Sequence, residues 1–386
     1  MTGRPGGGPG GLVRRGVNAL RVVLVPFVLA RVIVLGALGV AHLVLDRTHP
    51  ENAGMALRVH QGLLAWDGGF YEAIARYGYR PFGHQALRFF PLFPLAGRAL
   101  ADATGIGVGA SLVVIANLAA LVGTALVVVL VRRETGDAAL ATRSAWLLSL
   151  APPAFTFVFG YAEGLLLLFV SATFLALRPA AAGRPAWLWV ALFSYAAGLT
   201  RPLGVVLVLP IAVVLVGRWR PGGRSERLVA VAAICAPVLG LVTFLAWSAD
   251  AFSDFWLPLR VQTSAGHHGG LSDPVRTLID DAKGALHHHI GTALHVPWVL
   301  LVLVLLVVCW RRLPVAYSLF ATGIVAVALS GTNLDSFERY ALSAFPLVVA
   351  AATLLRRRSL ERVVLVLSAI GLAAYTLLAL LNVSVP

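Results

Sequence analysis

The chain has 386 residues, of which 59% are hydrophobic and only 12% charged, with a formal net charge of +14 and a mean hydropathy of +0.85. Soluble domains carry about 25% charged residues, so the composition excludes an ordinary soluble fold and calls for a polytopic membrane protein. In such a chain a positive balance reports topology rather than affinity for nucleic acid, and no nucleic-acid partner is expected.

The chain opens on the basic, Gly/Pro-rich stretch MTGRPGGGPGGLVRRG. Residues 1–20 are therefore expected to be a disordered cytoplasmic tail, and residues 21–386 a single transmembrane domain. The first apolar run, Val22 to Leu45, is too long for a signal-peptide core and lacks a small-x-small cleavage site, so it reads as a retained helix. The expected all-α bundle has about eleven spans: 22–45, 107–131, 141–158, 161–177, 187–200, 202–217, 228–248, 296–310, 314–331, 338–355 and 361–382. The Phe/Pro stretch 89–100 is a candidate twelfth, re-entrant piece. Turn signals separate the spans: APP at 151–153, RP at 201–202 and PGG at 221–223. Cys235 and Cys309 lie inside apolar runs and read as core residues, neither a disulfide nor a metal pair.

With a cytoplasmic N-terminus and alternating spans, the inner side holds 19 basic and 4 acidic residues, the outer side 11 basic and 13 acidic, and Arg31 lies within the first helix. This asymmetry fixes the orientation. Loops 46–106 and 249–295 then face outward, as do the turn at 158–163, Arg201 and the stretch SGTNLDSFERY at 330–340. Nearly all basic residues are arginine, with Lys283 the one lysine, which suggests a GC-rich genome; the expected location is a bacterial plasma membrane.

Polar residues that topology does not require collect on that outer side. In GLLAWDGGFYEAIARYGYRPFGHQALRFFPLFP, from Gly62 to Pro94, the spacing of Phe70, Ile74 and Tyr77 predicts a short amphipathic helix. Asp67 precedes it and has two readings. It is the helix cap, or it is a carboxylate at the membrane surface, beside Trp66, with Gly68 and Gly69 allowing a substrate close. Glu72 has a ready partner in Arg76 four residues on. RFFPLFPLAGR reads as an interfacial elbow, with Phe89, Phe90 and Phe93 as a wall for a lipid chain. Glu163 is a lone acid at an outer helix end, suited either to the helix dipole or to a polar partner. Arg201 and Arg339 stand at outer helix boundaries; Glu338 and Asp335 are candidate partners for Arg339. Arg31, in mid-helix, is expected to face a polar cavity.

His267–His268 and His287–His289 lack metal-ligand spacing, so no metal is expected. DPVRTLIDDAKGAL presents Val275, Leu278, Ile279, Ala282 and Leu286 on one face, predicting an interfacial helix that serves as a lid. There is no phosphate-binding loop or dinucleotide fingerprint. An enzyme built this way takes its activated substrate from the membrane.

WDGGFYEAIARYGY followed by RFFPLFPLAGR resembles the PIG-V family, the GPI mannosyltransferase II-like branch of the C-type (GT-C) membrane glycosyltransferases. GYAEGLLLLF resembles the family's Tyr-x-Glu helix start, GLTRPLG its Thr-Arg-x-x-Gly element, and ERYALSAFPL its Arg-Tyr…Phe-Pro element. The matches run from Trp66 to Leu347. The resemblance implies a GT-C fold, a polyprenyl-phosphate sugar donor, an outer-face active site and an acid of the first outer loop, here Asp67, as catalytic base. Trp66, Glu72, Arg88, Glu163, Arg201, Arg339 and Tyr340 are expected around the substrates, with no cofactor. The chain is shorter than the eukaryotic enzymes, so the acceptor is expected to be a bacterial lipid, glycan or protein rather than a GPI intermediate. A lipid-phosphate leaving group needs no general acid, and one base suffices for inversion. The competing readings are a transporter or flippase for polyprenyl-linked sugars and a non-catalytic scaffold. Convergence of Asp67, Glu163, Arg201 and Arg339 on one outer site would favour the enzyme.

Overall fold

A computed structural model describes residues 9–48, 53–178, 185–217, 223–263, 273, 276–277, 279, 283, 295–331, 334 and 336–383. Among these every regular element is helical, so the protein is an all-α helical bundle and a multi-pass membrane protein. The first helix, α1, runs Pro9–Thr48. It begins inside the segment expected to be disordered, where Val17 and Leu20 extend the span's apolar spacing back toward the tail. Three short helices follow: α2 (Ala53–Gln61), α3 (Asp67–Tyr77) and α4 (Leu92–Thr104). Then come α5 (Val108–Thr135), α6 (Ala138–Leu150), α7 (Glu163–Leu177), α8 (Trp187–Thr200), α9 (Val208–Gly217), α10 (Arg224–Phe252) and α11 (Leu257–Gln262). The last five are α12 (His295–Arg312), α13 (Val315–Ala328), α14 (Phe337–Ser343), α15 (Phe345–Leu354) and α16 (Arg358–Leu380).

Local chemistry sets the ends of these helices. The α5 helix closes on Gly136 in the left-handed conformation, with Arg132 and Arg133 in the last turn, where cations suit the exposed carbonyls. Asp137 then caps α6 by accepting from the Leu140 amide at 2.9 Å. Each expected span contains helix, but among the described residues five helices are long and apolar enough by themselves to cross a membrane: Gly16–Thr48, Val108–Thr135, Arg224–Phe252, His295–Arg312 and Arg358–Leu380. The span expected at 338–355 is broken. Helices α14 and α15 meet at 83°, with Pro346 at the start of the second, where its ring and missing N–H forbid a continuous helix.

Helices α5, α7, α8 and α10 pack in series, while α1 lies against α5 and α16. Glycines allow two close crossings. A Cβ at Gly198 of α8 would strike the Pro237 carbonyl of α10, and one at Gly164 of α7 would strike the Ala116 carbonyl of α5. Small residues at such crossings let backbones touch where lipid offers no hydrophobic drive for association. They hold the start of α7 and the end of α8 at fixed positions.

The region 46–106 is mostly helix, folded over a second apolar core. The expected helix is present as α3, but its buried face is Gly68, Tyr71, Ile74 and Ala75, while Tyr77 is 66% exposed. Phe89, Phe90 and Phe93 are buried in that core rather than forming a lipid-facing wall. Phe70 stacks on Phe89 at 4.9 Å, Tyr71 meets Phe93 at 4.9 Å and Phe90 meets Phe244 at 4.8 Å. The Tyr79 hydroxyl donates to the Phe89 carbonyl at 2.7 Å, which ties the elbow shut. His267, His268, His287, His288 and His289, Asp335 and most of the expected lid helix lie outside the described residues.

Candidate active site

The site is built where two non-helical turns meet. Ahead of α3 the chain makes an elbow at Trp66, a bulky residue at φ 59°, a conformation that needs support from its surroundings. The Trp66 indole N–H donates to the Ala379 carbonyl of α16 at 2.8 Å, and the Arg58 guanidinium lies 4.0 Å over its ring. Ahead of α7 the Gly160 amide donates to the Leu63 carbonyl at 2.8 Å. The chain leading to Asp67 therefore lies against the chain leading to Glu163, and both acids begin their helices at one place.

Asp67 is the first residue of α3, not its cap, and no side chain caps that helix. Its carboxylate instead reaches across the bundle to Arg339 of α14, with Oδ2 2.5 Å from Nη2. Arg339 also pairs with Glu163 through Nε. Arg201, in extended backbone at the end of α8 just before Pro202, pairs with the same oxygen, Glu163 Oε1, and lies 5.4 Å over the Tyr340 ring. The Arg339 guanidinium sits 5.1 Å over Tyr161. Arg88 joins from the elbow, 5.1 Å over Phe89 and within electrostatic reach of Asp67, Arg339 and Tyr340. Three guanidiniums thus gather around two carboxylates.

Burial grades this cluster. The side chains of Glu163, Arg339 and Arg201 are 1%, 7% and 10% exposed, whereas that of Asp67 is 21% exposed. Asp67 is therefore the carboxylate that an incoming molecule can reach. Burial by itself would raise its pKa, but Arg339, Arg201 and Arg88 outweigh that and hold the carboxyl below its ordinary 3.8. Burial lowers the Arg88 guanidinium, which its attraction to Asp67 only partly offsets. Among the described residues no group of three or more His, Cys, Asp or Glu side chains could hold a metal ion.

Asp67, Glu163, Arg201 and Arg339 thus converge, with Arg88 and Tyr340 beside them. Glu72 does not join them: it pairs with Arg76 at 2.7 Å, and its carboxylate lies against Gly109 of α5. The Trp66 indole N–H is committed to α16, and its ring to Arg58. Glu338, expected as a partner for Arg339, bonds His295 of α12 at 2.8 Å instead. Arg31, expected to face a polar cavity, bonds the Asn117 side chain and the Phe27 and Phe157 carbonyls. Sequence reading did not place Tyr161 at the site, where its ring lies under Arg339. Tyr161 left one signal, its position two residues before Glu163 in the motif GYAEG.

The model of the Mannosyl_trans2 family, described as mannosyltransferase (PIG-V), matches residues 27–250. A search of the curated proteins gives no match. The family model covers more than half of the chain and includes Asp67, Glu163 and Arg201. The chain belongs to the PIG-V mannosyltransferase family.

Proposed function

We propose that this protein transfers mannose, with inversion, from a polyprenyl-phosphate donor to a hydroxyl of a lipid, glycan or protein acceptor at the extracytoplasmic face of a bacterial plasma membrane. The single observation that carries the reading is a reachable carboxylate, Asp67, held by Arg339 inside a cluster of three guanidiniums. The surplus of guanidinium charge suits a phosphate, and the charge asymmetry of the loops supports an outward-facing site.

The donor phosphate takes Arg339 and Arg201 as ligands, drawing Arg339 off Asp67. Arg339 is foremost among the three arginines that hold the Asp67 carboxyl low, so its departure makes the carboxylate more basic. Asp67 then accepts the proton of the acceptor hydroxyl as that oxygen attacks the anomeric carbon. The bond from that carbon to the phosphate oxygen breaks, and its electron pair leaves with the polyprenyl phosphate. Negative charge grows on the phosphate as the bond breaks, and the guanidiniums stabilise it there. One displacement inverts the anomeric centre, and no second carboxylate is needed.

Transporters also use broken spans such as α14–α15. Chemistry separates the two readings. The protein in liposomes is expected to convert polyprenyl-phosphate mannose to free polyprenyl phosphate and a mannosylated acceptor of inverted configuration, and to leave a nucleotide-linked mannose untouched. Transbilayer movement of the donor without its consumption, or use of the nucleotide sugar, contradicts the proposal.

A further inference from the structure

Two oxygens of the cluster matter beyond its ion pairs: among the described residues Oε2 of Glu163 accepts no hydrogen bond, and the Tyr161 hydroxyl, which the Asp67 backbone N–H faces, donates its own proton to no group. Glu163 is 2% exposed and Tyr161 0% exposed. Folded proteins leave few such atoms, because each loses its hydration without a replacement partner, and each asks for a reason. Here the ion pairs do not supply one. Both guanidiniums engage Glu163 through Oε1, while Tyr161 lies under Arg339 by its ring, not its hydroxyl. The two residues are one helix start apart, and Tyr161 is within electrostatic reach of Glu163, Asp67 and Arg339.

We propose that Glu163 Oε2 and the Tyr161 hydroxyl form a subsite that reads two neighbouring hydroxyls of the transferred sugar. This deepens the donor reading above and rests on it. A carboxylate oxygen only accepts, so it takes a sugar O–H; a phenol can donate to the oxygen of the adjacent hydroxyl. An acceptor beside a donor matches a diol, each of whose hydroxyls does both. A phosphate does not fit, because Oε2 is anionic. The phosphate belongs with the guanidiniums on the other side of Glu163, and the acceptor with the more exposed Asp67. In the closed cluster Arg339 bridges Asp67 and Glu163. Its move to the phosphate releases Oε1 and loosens the cluster beside Oε2, which neither guanidinium occupies, so the subsite becomes available when the donor arrives.

A subsite that hydrogen-bonds a hydroxyl discriminates strongly against a substrate lacking it, because its own buried groups are then left unpaired. The test measures kcat/KM in liposomes for polyprenyl-phosphate mannose and for analogues missing one hydroxyl at each ring position in turn. Wild-type protein is expected to lose about 10- to 100-fold for the analogue missing the read hydroxyl. Tyr161→Phe keeps the ring that packs on Phe159 at 5.8 Å and loses only the hydroxyl. It is expected to lose about tenfold with the complete donor and little more with that same analogue, so that the discrimination collapses. Glu163→Gln, whose amide oxygen still accepts but without charge, is expected to weaken discrimination at the adjacent position. If wild-type protein uses the donor but Tyr161→Phe discriminates as strongly as wild type at every position, the subsite is overturned and the donor reading stands. If wild-type protein does not consume the complete donor, the donor reading falls and the subsite falls with it.

Discussion

Two regions of this protein place arginine out of water, and they do it differently. Arg31, midway along α1, is bonded by neutral groups: the Asn117 side chain at 2.8 Å and the Phe157 carbonyl at 3.0 Å, with the Phe27 ring 3.4 Å from its guanidinium. Arg339 and Arg201 are held by carboxylates. A carbonyl belongs to the backbone and cannot be exchanged, so Arg31 fastens α1 to α5 and to the turn before α7. A carboxylate can be replaced at a guanidinium by another anion of similar geometry, and phosphate is one. A buried charge is therefore not in itself the mark of a site. What matters is whether its partner can be traded for a ligand.

Breaking the exchangeable side should have the largest effect. Arg339→Ala leaves Glu163 with Arg201 alone and removes a guanidinium from the donor phosphate. Turnover is expected to fall more than about 100-fold, with weaker donor binding measured on the folded protein. Normal donor affinity in that variant would place the phosphate elsewhere. Breaking the fixed side should be milder and of another kind. Arg31→Met strands the Asn117 and Phe157 oxygens and is expected to cost about 1–3 kcal/mol of stability by thermal unfolding, while turnover per folded molecule stays within a few-fold. A large loss of turnover at full stability would give Arg31 a role in the reaction.

Acid sharpens the same contrast. The Asp67 carboxyl is lowered from 3.8 in the folded protein, so the stability it contributes is present above that value and is lost as pH falls through the lowered one. Unfolding midpoints should drop below about pH 4, and less so in Asp67→Asn, whose side chain cannot be protonated there. An equal acid response in the two proteins would mean that the Asp67–Arg339 pair contributes nothing to stability.

Much of the bundle could be read from hydropathy, because lipid imposes long apolar runs. Asp67, Glu163, Arg201 and Arg339 stood out for the same reason: each is a polar residue that topology does not ask for. What could not be read rests on distant contacts. The Trp66 indole is used by Ala379, 313 positions away, and Glu338 by His295, 43 positions away. Phe89, Phe90 and Phe93 misled because a buried core and a lipid-facing wall have the same composition. The span 338–355 was expected to be continuous although Pro346 lies within it, and the 83° turn that carries Arg339 to Asp67 depends on tertiary packing. Glu72 was an ambiguous candidate until its bond to Arg76 and its position against Gly109 were visible.

Asp67→Asn tests the central claim most directly. The substitution keeps the side chain's shape and removes its charge and basicity. Single-turnover transfer from polyprenyl-phosphate mannose should be measured together with donor binding on the same folded preparation. The account predicts a loss of transfer of about 100-fold or more, typical of removing a general base, with donor binding no weaker, because Asp67 no longer competes for Arg339. A variant that retains most of its transfer rate would contradict it and reduce Asp67 to an anchor for Arg339.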